Sequence, residues 1–568
     1  MNNKHYDNDD IDRKINQVIR QITKLSDKQT MHIQNLTRIG VALSSVTNLE
    51  KIFDMILVEA IAYTNADAAT IYKVSADKQY LDFVLVYNKT LGIKMGRDYG
   101  PITWPSIPLY DKKGKPRLEY IVTNVFHTKQ LLCFDDVYLA KKYDISRTKQ
   151  MDKENNYRSK SMLTLPLKSH ENEVLGVLKV INATDKQNKV THFQEDHVLM
   201  LNSLASQASI TMSNRKLIND LEELLMQFMK VIAKAIERKS KYSSNHITKV
   251  AMLADMIARK INEDTSTRFH NMKFSAAELK ELSMAGLMHD VGKIVTPEHI
   301  MDKATKLEHI VDRIALVDLR YKLFKKALTL YKLQYGEPKL IKTVRNWYPY
   351  KTSTTINELF KFLDEDKLFL DSVNDGGEYV SDASLARIDR IQKMDFQMDD
   401  EKWSLLTEDE VENLKIRRGT LTAEEKRIVD EHVLVTWEML SELSFPTKYK
   451  NVALYAASHH EKLNGTGHPF GYKADQLPPQ SRILAIADIF EAVTSSDRPY
   501  KKPNNLSESL EILANCAKNG EIDRDILDFI IDSGLYVEFA ELFMSSKQID
   551  RVDTNAIKKI YHPELKDK

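Results

Sequence analysis

His289 and Asp290 stand side by side in the apolar stretch ELSMAGLMHDVGKI. An imidazole and a carboxylate inside a core element are costly unless a metal ion or a charge network uses them. On a helix they point about 100° apart, so both can reach one centre from neighbouring directions. Groups of the same chemistry follow: His432 in LTAEEKRIVDEHVLVTWEML, the consecutive His459 and His460 ahead of a glycine-rich turn in VALYAASHHEKLNGTGHPFGY, and Asp488 in the hydrophobic run RILAIADIF. Glu237 and His246 precede them in AIERKSKYSSNHITKV. Taken singly, Glu237, His246 and His432 read as ordinary structural or solvated residues. As a set, histidines and carboxylates without thiolates suit two or three divalent ions, iron or manganese ahead of zinc, cobalt, nickel or magnesium. Such ions stabilise the attacking and leaving oxygens of an in-line phosphoryl displacement. A single closed structural zinc needs fewer ligands. Gly292 is read as the stop of the helix carrying the pair. Lys293, next in line, is placed to meet a phosphate oxygen or a leaving group as a compact cation.

The elements that must position these groups belong to a chain of 568 residues, a length that favours two to four domains. Its 42% apolar content suffices for globular cores, and a net charge of +1 gives no global argument for binding a polyanion. Recognition of a nucleotide phosphate must therefore be local, and no DNA or RNA partner is expected. Cys133 and Cys516 cannot build a disulfide framework or a thiolate-rich zinc site. Cys133 is read as a small buried hydrophobe. No apolar run approaches the roughly 20 residues that cross a bilayer, so the expected location is the cytoplasm.

Along the chain, residues 1–30 form a polar lead. An α+β pattern follows: LEKIFDMILVEAIAYTNA at helical period, ATIYKVSADKQYLDFVLVYN as two strands about a polar turn, and SMLTLPLKSHENEVLGVLKVINATD as a hairpin turning at HENE. A long helix then begins near THFQEDHVLML, with Thr191 as its cap and Gln194 three positions on. This order resembles the GAF sensory domain family over residues 31–215. Of the signature carried by members with cyclic-nucleotide pockets, the chain keeps Asn182, Phe193 and Asp196, with Ala183 where a lysine would stand. Sensing of a small molecule and a ligand-free packing role both remain open for it. In the linker 216–236, Leu217, Leu221, Leu224, Leu225 and Phe228 recur at helical spacing. That stripe serves either a parallel homodimer or the chain's own core, and a homodimer is the expected assembly.

The stretches IERKSKYSSNHITKV, MHDVGKIVTPEHIM, LTAEEKRIVDEHV, HHEKLNGTGHPFGY and RILAIADIFEAVTSSDRPYKK, in this order, resemble the HD-GYP branch of the all-helical HD phosphohydrolases, which hydrolyses cyclic di-GMP. The resemblance implies a domain over 237–545 with a C-terminal tail at 546–568. It implies metal ligation by His246, His289, Asp290, His432, His459, His460 and Asp488, with Glu237 as the acidic ligand of a third ion. Asp290 and Lys293 would be catalytic, and Lys293, Arg498 and Lys501 would meet substrate phosphate. The expected reaction opens cyclic di-GMP to linear pGpG, with GMP as a further product. The alternatives are a hydrolase of another cyclic nucleotide or dinucleotide, and an inactive cyclic-dinucleotide receptor or scaffold.

The chain departs from that pattern in places. The signature Gly-Tyr-Pro is Gly467, His468 and Pro469, Asn464 replaces a common acid, and Ser240 and Asn245 replace an Asp and a Gly. His468 is read as a surface histidine, with a substrate contact as the sharper option. Between Asp290 and His432 the chain is far longer than in relatives, and the excess at about 308–418 is expected to be a helical insertion. It would act as a lid, a dimer surface or a protein-binding module. The fold class is thus multidomain: an α+β GAF-like domain, then an all-α HD-GYP domain with a large helical insertion.

Overall fold

The computed structural model describes residues 49–568 apart from 97–98, 240–244, 267, 271, 348–354, 399–400, 496–502 and 566–568, with scattered helical positions between 13 and 41. The chain divides into two compact units, residues 1–224 and 225–568.

In the first unit, helix α1 (Leu49–Thr64) is followed by strands β1 (Ala66–Val74), β2 (Tyr80–Asn88), β3 (Ile93–Met95) and β4 (Ile107–Pro108). Helix α2 (Ile121–Thr128), strand β5 (Leu132–Phe134), helix α3 (Ser146–Glu154) and strands β6 (Met162–Lys168) and β7 (Val174–Ala183) complete the sheet, and helix α4 (Glu195–Glu237) follows. The strand order is β3-β2-β1-β7-β6-β5, with β4 against β2, and all pairings are antiparallel. The period-two pattern decides the faces. Leu163, Leu165 and Leu167 pack with Ile52, Phe53 and Ile56 of α1 and Leu201 and Leu204 of α4, whereas Tyr72 and Val177 pack with Val122 and Val125 of α2. The hairpin expected at HENE joins β6 to β7.

Two expectations need correction here. The long helix starts at Glu195, three residues beyond the start that a Thr191 cap would give, and the Thr191 backbone N–H bonds Ala183 O. Cys133 is exposed on the short strand β5, which pairs with β6 at the end of the sheet order. An end strand has a side that no neighbour covers.

The second unit is a helical bundle with a second core inserted in it. Helices α5 (His246–Glu263) and α6 (Ala276–Met288) lead, followed by the short α7 (Glu298–Met301). The insertion comprises α8 (Ile314–Tyr335), α9 (Glu337–Thr343), α10 (Ile356–Asn374), α11 (Asp382–Gln392), strands β8 (Asp395–Met398) and β9 (Glu401–Ser404), and α12 (Glu408–Leu414). Helices α13 (Ala423–Asp430), α14 (His432–Ser441), α15 (Val452–Ala457) and α16 (Pro479–Thr494) return to the bundle, and α17 (Leu506–Lys518), α18 (Arg524–Asp532), α19 (Leu535–Phe543) and α20 (Thr554–Tyr561) close it. The β8–β9 hairpin is an addition to the expected all-helical insertion.

The insertion has its own core, from Leu307 through Phe324, Leu359, Ile388 and Phe396 to Leu414. Its two ends are tied at one place. Lys303 Nζ donates to both oxygens of Glu425 at 2.8 Å and to Asn413 Oδ1 at 2.7 Å, and Lys306 Nζ donates to Ile416 O at 2.8 Å. A long segment that leaves and returns at one point costs the host little, because closure entropy grows only with the logarithm of length. Among the described residues no helix is long and apolar enough to cross a membrane.

Candidate metal centre

Three histidines are presented by one local device. His289 follows the last residue of α6, His459 follows α15 after Ser458, and His432 opens α14 directly after the break from α13. Helix ends leave carbonyls without an intrahelical partner. Each ring uses the carbonyl three residues back: His289 Nδ1 lies 2.8 Å from Gly286 O, His432 Nδ1 2.5 Å from Val429 O, and His459 Nδ1 2.6 Å from Ala456 O. A carbonyl only accepts, so the proton sits on Nδ1 and the lone pair on Nε2. All three Nε2 atoms, together with Asp290 Oδ1, are buried and have no hydrogen-bond partner.

Those atoms converge. His432, His459 and His460 present nitrogens all within 4.8 Å of one another, and His246, His289 and Asp290 form a second such group. Asp290 joins the two, with Oδ1 3.3 Å from His432 Nε2 and Oδ2 3.3 Å from His289 Nε2. Asp488 Oδ1 stands 3.3 Å from His246 Nε2 and 3.8 Å from His289 Nε2. Buried acceptors without donors are expensive. Divalent cations held by the two groups would satisfy them, and the donor set of imidazole and carboxylate fits such ions.

Burial works against charge on His246, and the carboxylates of Asp290, Asp488 and Glu491 overcome it, holding its pKa well above the usual value. Burial likewise opposes ionisation of Asp290, but the neighbouring His289 ring and the Lys293 ammonium hold its carboxyl well below the usual range. Asp488 is depressed in the same way, chiefly by His246. Burial drives His459 down, and it lowers His460 to about 4. Asp290 and Asp488 are therefore held ionised and His459 and His460 neutral, the protonation states that metal ligation requires, whereas His246 shares its proton with the surrounding carboxylates, and a cation would have to displace it.

Close backbone packing assembles the groups. A Cβ on Gly286 would lie 2.9 Å from Ala251 Cα, so glycine lets α5, carrying His246, pack against α6. A Cβ on Gly292 would lie 1.9 Å from His432 O. Gly292 was expected to stop the helix; α6 already ends at Met288, and the glycine instead admits the neighbouring backbone. Thr436 completes this clamp, accepting from Gly292 N at 3.0 Å and donating to His289 O at 3.1 Å.

The other expected residues fall in different places. Lys293 Nζ bonds Asp290 Oδ2 at 2.7 Å from a 3-10 turn, Val291–Ile294. Glu237 is buried and accepts from Thr248 N at 3.4 Å in the first turn of α5, outside both close groups. Burial raises its pKa. Arg498 and Lys501 lie outside the described residues. His468, expected on the surface, is half-buried with its ring stacked on His460.

One buried acid was passed over in the sequence. Glu491, one turn after Asp488 on α16, pairs with His246 Nδ1 and lies 3.3 Å from Lys249 Nζ. A carboxylate on the far nitrogen fixes a ligating imidazole's orientation. Asp488 and Glu491 at i and i+3 of one apolar helix were the legible signal.

The GAF domain family matches residues 48–212, and the HD domain family matches 244–359 and, through a second description, 408–526. Among curated proteins, 3'3'-cGAMP-specific phosphodiesterase 3 of Vibrio cholerae is 39% identical over 17% of this chain and 20% of that protein. A cyclic di-GMP phosphodiesterase of Thermotoga maritima is 35% identical over 17% and 26%, and a probable cyclic di-GMP phosphodiesterase of Vibrio cholerae 31% identical over 23% and 31%. The chain thus spans between a fifth and a third of the length of these relatives. It is a protein with GAF and HD domain regions, related in part to the cyclic di-GMP phosphodiesterases of the HD superfamily.

Proposed function

We propose that the chain is a metal-dependent phosphodiesterase that opens cyclic di-GMP to linear pGpG, with GMP as a further product, under the control of its N-terminal sensory unit. The observation that carries this reading is the set of four buried atoms without partners, His289 Nε2, Asp290 Oδ1, His432 Nε2 and His459 Nε2. His246, His289, Asp290, His432, His459, His460 and Asp488 would hold two or three divalent ions, iron or manganese, with Glu237 as the ligand of a third. Such ions supply Lewis-acid stabilisation of phosphoryl oxygens and lower the cost of deprotonating water.

The chain's own side chains do the rest. Asp290 holds Lys293 by the 2.7 Å ion pair, which aims the ammonium at the space beside the ligands. There it offsets charge on a phosphate oxygen as water adds to phosphorus and the bond to the 3′ oxygen breaks. Arg498 and Lys501 are proposed to grip the remaining phosphate oxygens. The test is turnover of cyclic di-GMP by the full chain, reconstituted anaerobically with Fe(II) or Mn(II), beside Asp290→Ala. Metal-dependent linear product that the variant lacks is expected; its absence from folded, metal-loaded wild-type protein would sink the reading.

A second reading, hydrolysis of 3'3'-cGAMP by the same groups, is favoured by the similarity to three 3'3'-cGAMP-specific phosphodiesterases of Vibrio cholerae. The same assay with that substrate decides between them. The assembly proposed is a homodimer, because Leu217, Leu221, Leu224, Phe228 and Val231 are exposed on α4 at the heptad spacing of a coiled-coil seam. A small-molecule ligand for the sensory unit and a protein partner for the insertion are proposed alongside it.

A further inference from the structure

His468 occupies a loop whose geometry is heavily determined. The carboxylate of Glu461 accepts from the backbone N–H groups of Phe470 at 2.6 Å, Gly471 at 3.1 Å and Tyr472 at 3.0 Å. Asn464 Oδ1 accepts from Thr466 N at 3.0 Å and from its hydroxyl at 2.7 Å. A Cβ on Gly467 would lie 2.4 Å from Lys462 N, so only glycine lets the returning strand of the loop lie this close. His468 N then reaches back to His460 O at 3.4 Å, and the two imidazoles stack with centroids 5.1 Å apart and planes 17° from parallel.

The decisive observation is at the ring nitrogen. His468 Nε2 is buried and has no hydrogen-bond partner, the same condition as the Nε2 atoms of His289, His432 and His459. A histidine that served only as a lid on the cleft, or as a substrate contact, would present that nitrogen to water. This one is sealed against solvent beside a group of three histidines whose nitrogens lie within 4.8 Å of each other. Three imidazoles leave at least one coordination position of a divalent ion unfilled.

We propose that His468 is a further imidazole ligand of the divalent ion held by His432, His459 and His460. The inference rests on the metal-centre reading above and adds a donor to it. His468 stands one stacked ring outside the close trio, so ligation requires its ring to turn toward them on a loop already held by Glu461.

The test uses the full chain stripped with a chelator, as wild type, His468→Ala, His468→Tyr and His468→Asp. Mn(II) and Co(II) affinity and stoichiometry are measured by chelator competition, the Co(II) visible absorption is recorded, and amide exchange is followed across 461–473. The alanine and tyrosine variants are expected to bind the outermost ion at least about tenfold more weakly, the lower end of what even an indirect partner of a metal contributes. Asp at 468, an alternative oxygen donor, is expected to recover part of the loss, and a merely structural role would not give that rescue. In the wild type, metal is expected to slow exchange in the loop. Unchanged affinity and stoichiometry in folded His468→Ala and His468→Tyr would overturn the proposal, as would a loss confined to KM. Wild-type protein that shows His468-dependent metal binding but turns over no cyclic dinucleotide would defeat the functional reading and leave the ligand assignment standing.

Discussion

Both units bury a polar cluster, and the two clusters are finished differently. In the GAF-like unit, Asp152 accepts from Ser159 N at 2.8 Å, Ser159 Oγ at 2.9 Å and Tyr138 OH at 2.9 Å. Tyr157 OH donates to Asp67 Oδ2 at 2.7 Å and accepts from Asn182 Nδ2 at 3.0 Å, while Asn182 Oδ1 accepts from Lys160 N at 2.7 Å. These bonds close on one another and on the backbone. In the bundle, the corresponding groups stop short, leaving three ring nitrogens and a carboxylate oxygen buried without a hydrogen-bond partner. Burial and polarity are alike in the two places; satisfaction separates them. A closed network fixes a fold, and an unsatisfied one at this density of imidazole and carboxylate groups fits a divalent cation.

The strongest way to break this comparison is to supply the cation. Hydrogen exchange of the full chain with and without Mn(II) is expected to slow amides around 286–293, 429–436, 456–460 and 488, and to leave 152–182 unchanged. At a thousandfold excess over the dissociation constant the stabilisation is about 4 kcal/mol. Equal protection of both units, or none, would remove the distinction drawn here. Next in size is Gly292→Ala, which forces a methyl onto His432 O and should cost about 1–3 kcal/mol or more in denaturant unfolding, with weakened metal binding. If that variant unfolds and binds metal as the wild type does, the clamp between residues 289–292 and α14 is not what assembles the centre.

Most of the buried cluster was legible because histidines and carboxylates are rare residue types in apolar settings: His289, Asp290 and Asp488 interrupt hydrophobic runs that have no packing use for them. The capping box that Thr422 and Glu425 form at the start of α13 is a local feature of another kind, since it depends only on a fixed spacing of three residues. What was not legible depends on partners distant in sequence. Gly292 read as a helix stop because its true neighbour, the His432 carbonyl, lies beyond the whole insertion. Thr191 read as a cap because nothing local reveals that its N–H goes to Ala183 O. Asn182 and Phe193 read as echoes of a nucleotide pocket; the first is spent on Lys160 N, Arg158 O and Tyr157 OH, and the second is core.

The network of the GAF-like unit gives the converse test. In Tyr157→Phe, Asp67 Oδ2 and Asn182 Nδ2 each lose a partner, at a cost of about 1–3 kcal/mol for a group left unpaired. Burial, followed by the hydrogen bond to Asp67, raises the pKa of Tyr157, so the phenol stays protonated as a donor. Metal affinity is expected to stay at the wild-type value, because this network lies in the other unit. A stability loss with unaltered metal binding sharpens the comparison, whereas loss of metal binding in Tyr157→Phe would show that the closed network is not merely architectural.

The smallest effect concerns a buried group that is satisfied by hydrogen bonding yet still disfavoured in its charged form. Lys306 is fully buried, donates to Ile416 O, and is lowered by burial to about 8. Its unfolded value is near 10.5, so between about pH 8 and 10.5 the unfolded chain holds the extra proton. Stability then rises with pH, because the slope follows the protons bound by the unfolded state minus those bound by the folded one. The contribution is a penalty at neutral pH that is progressively relieved, by about 1 kcal/mol from pH 7 to pH 9. Other lysines and tyrosines titrate over the same range, so the quantity to measure is wild type minus Lys306→Met in urea unfolding at each pH. A difference that grows in favour of the wild type with rising pH is expected. A flat or falling difference would mean that Lys306 keeps its charge in the folded insertion, stabilised by more than one carbonyl.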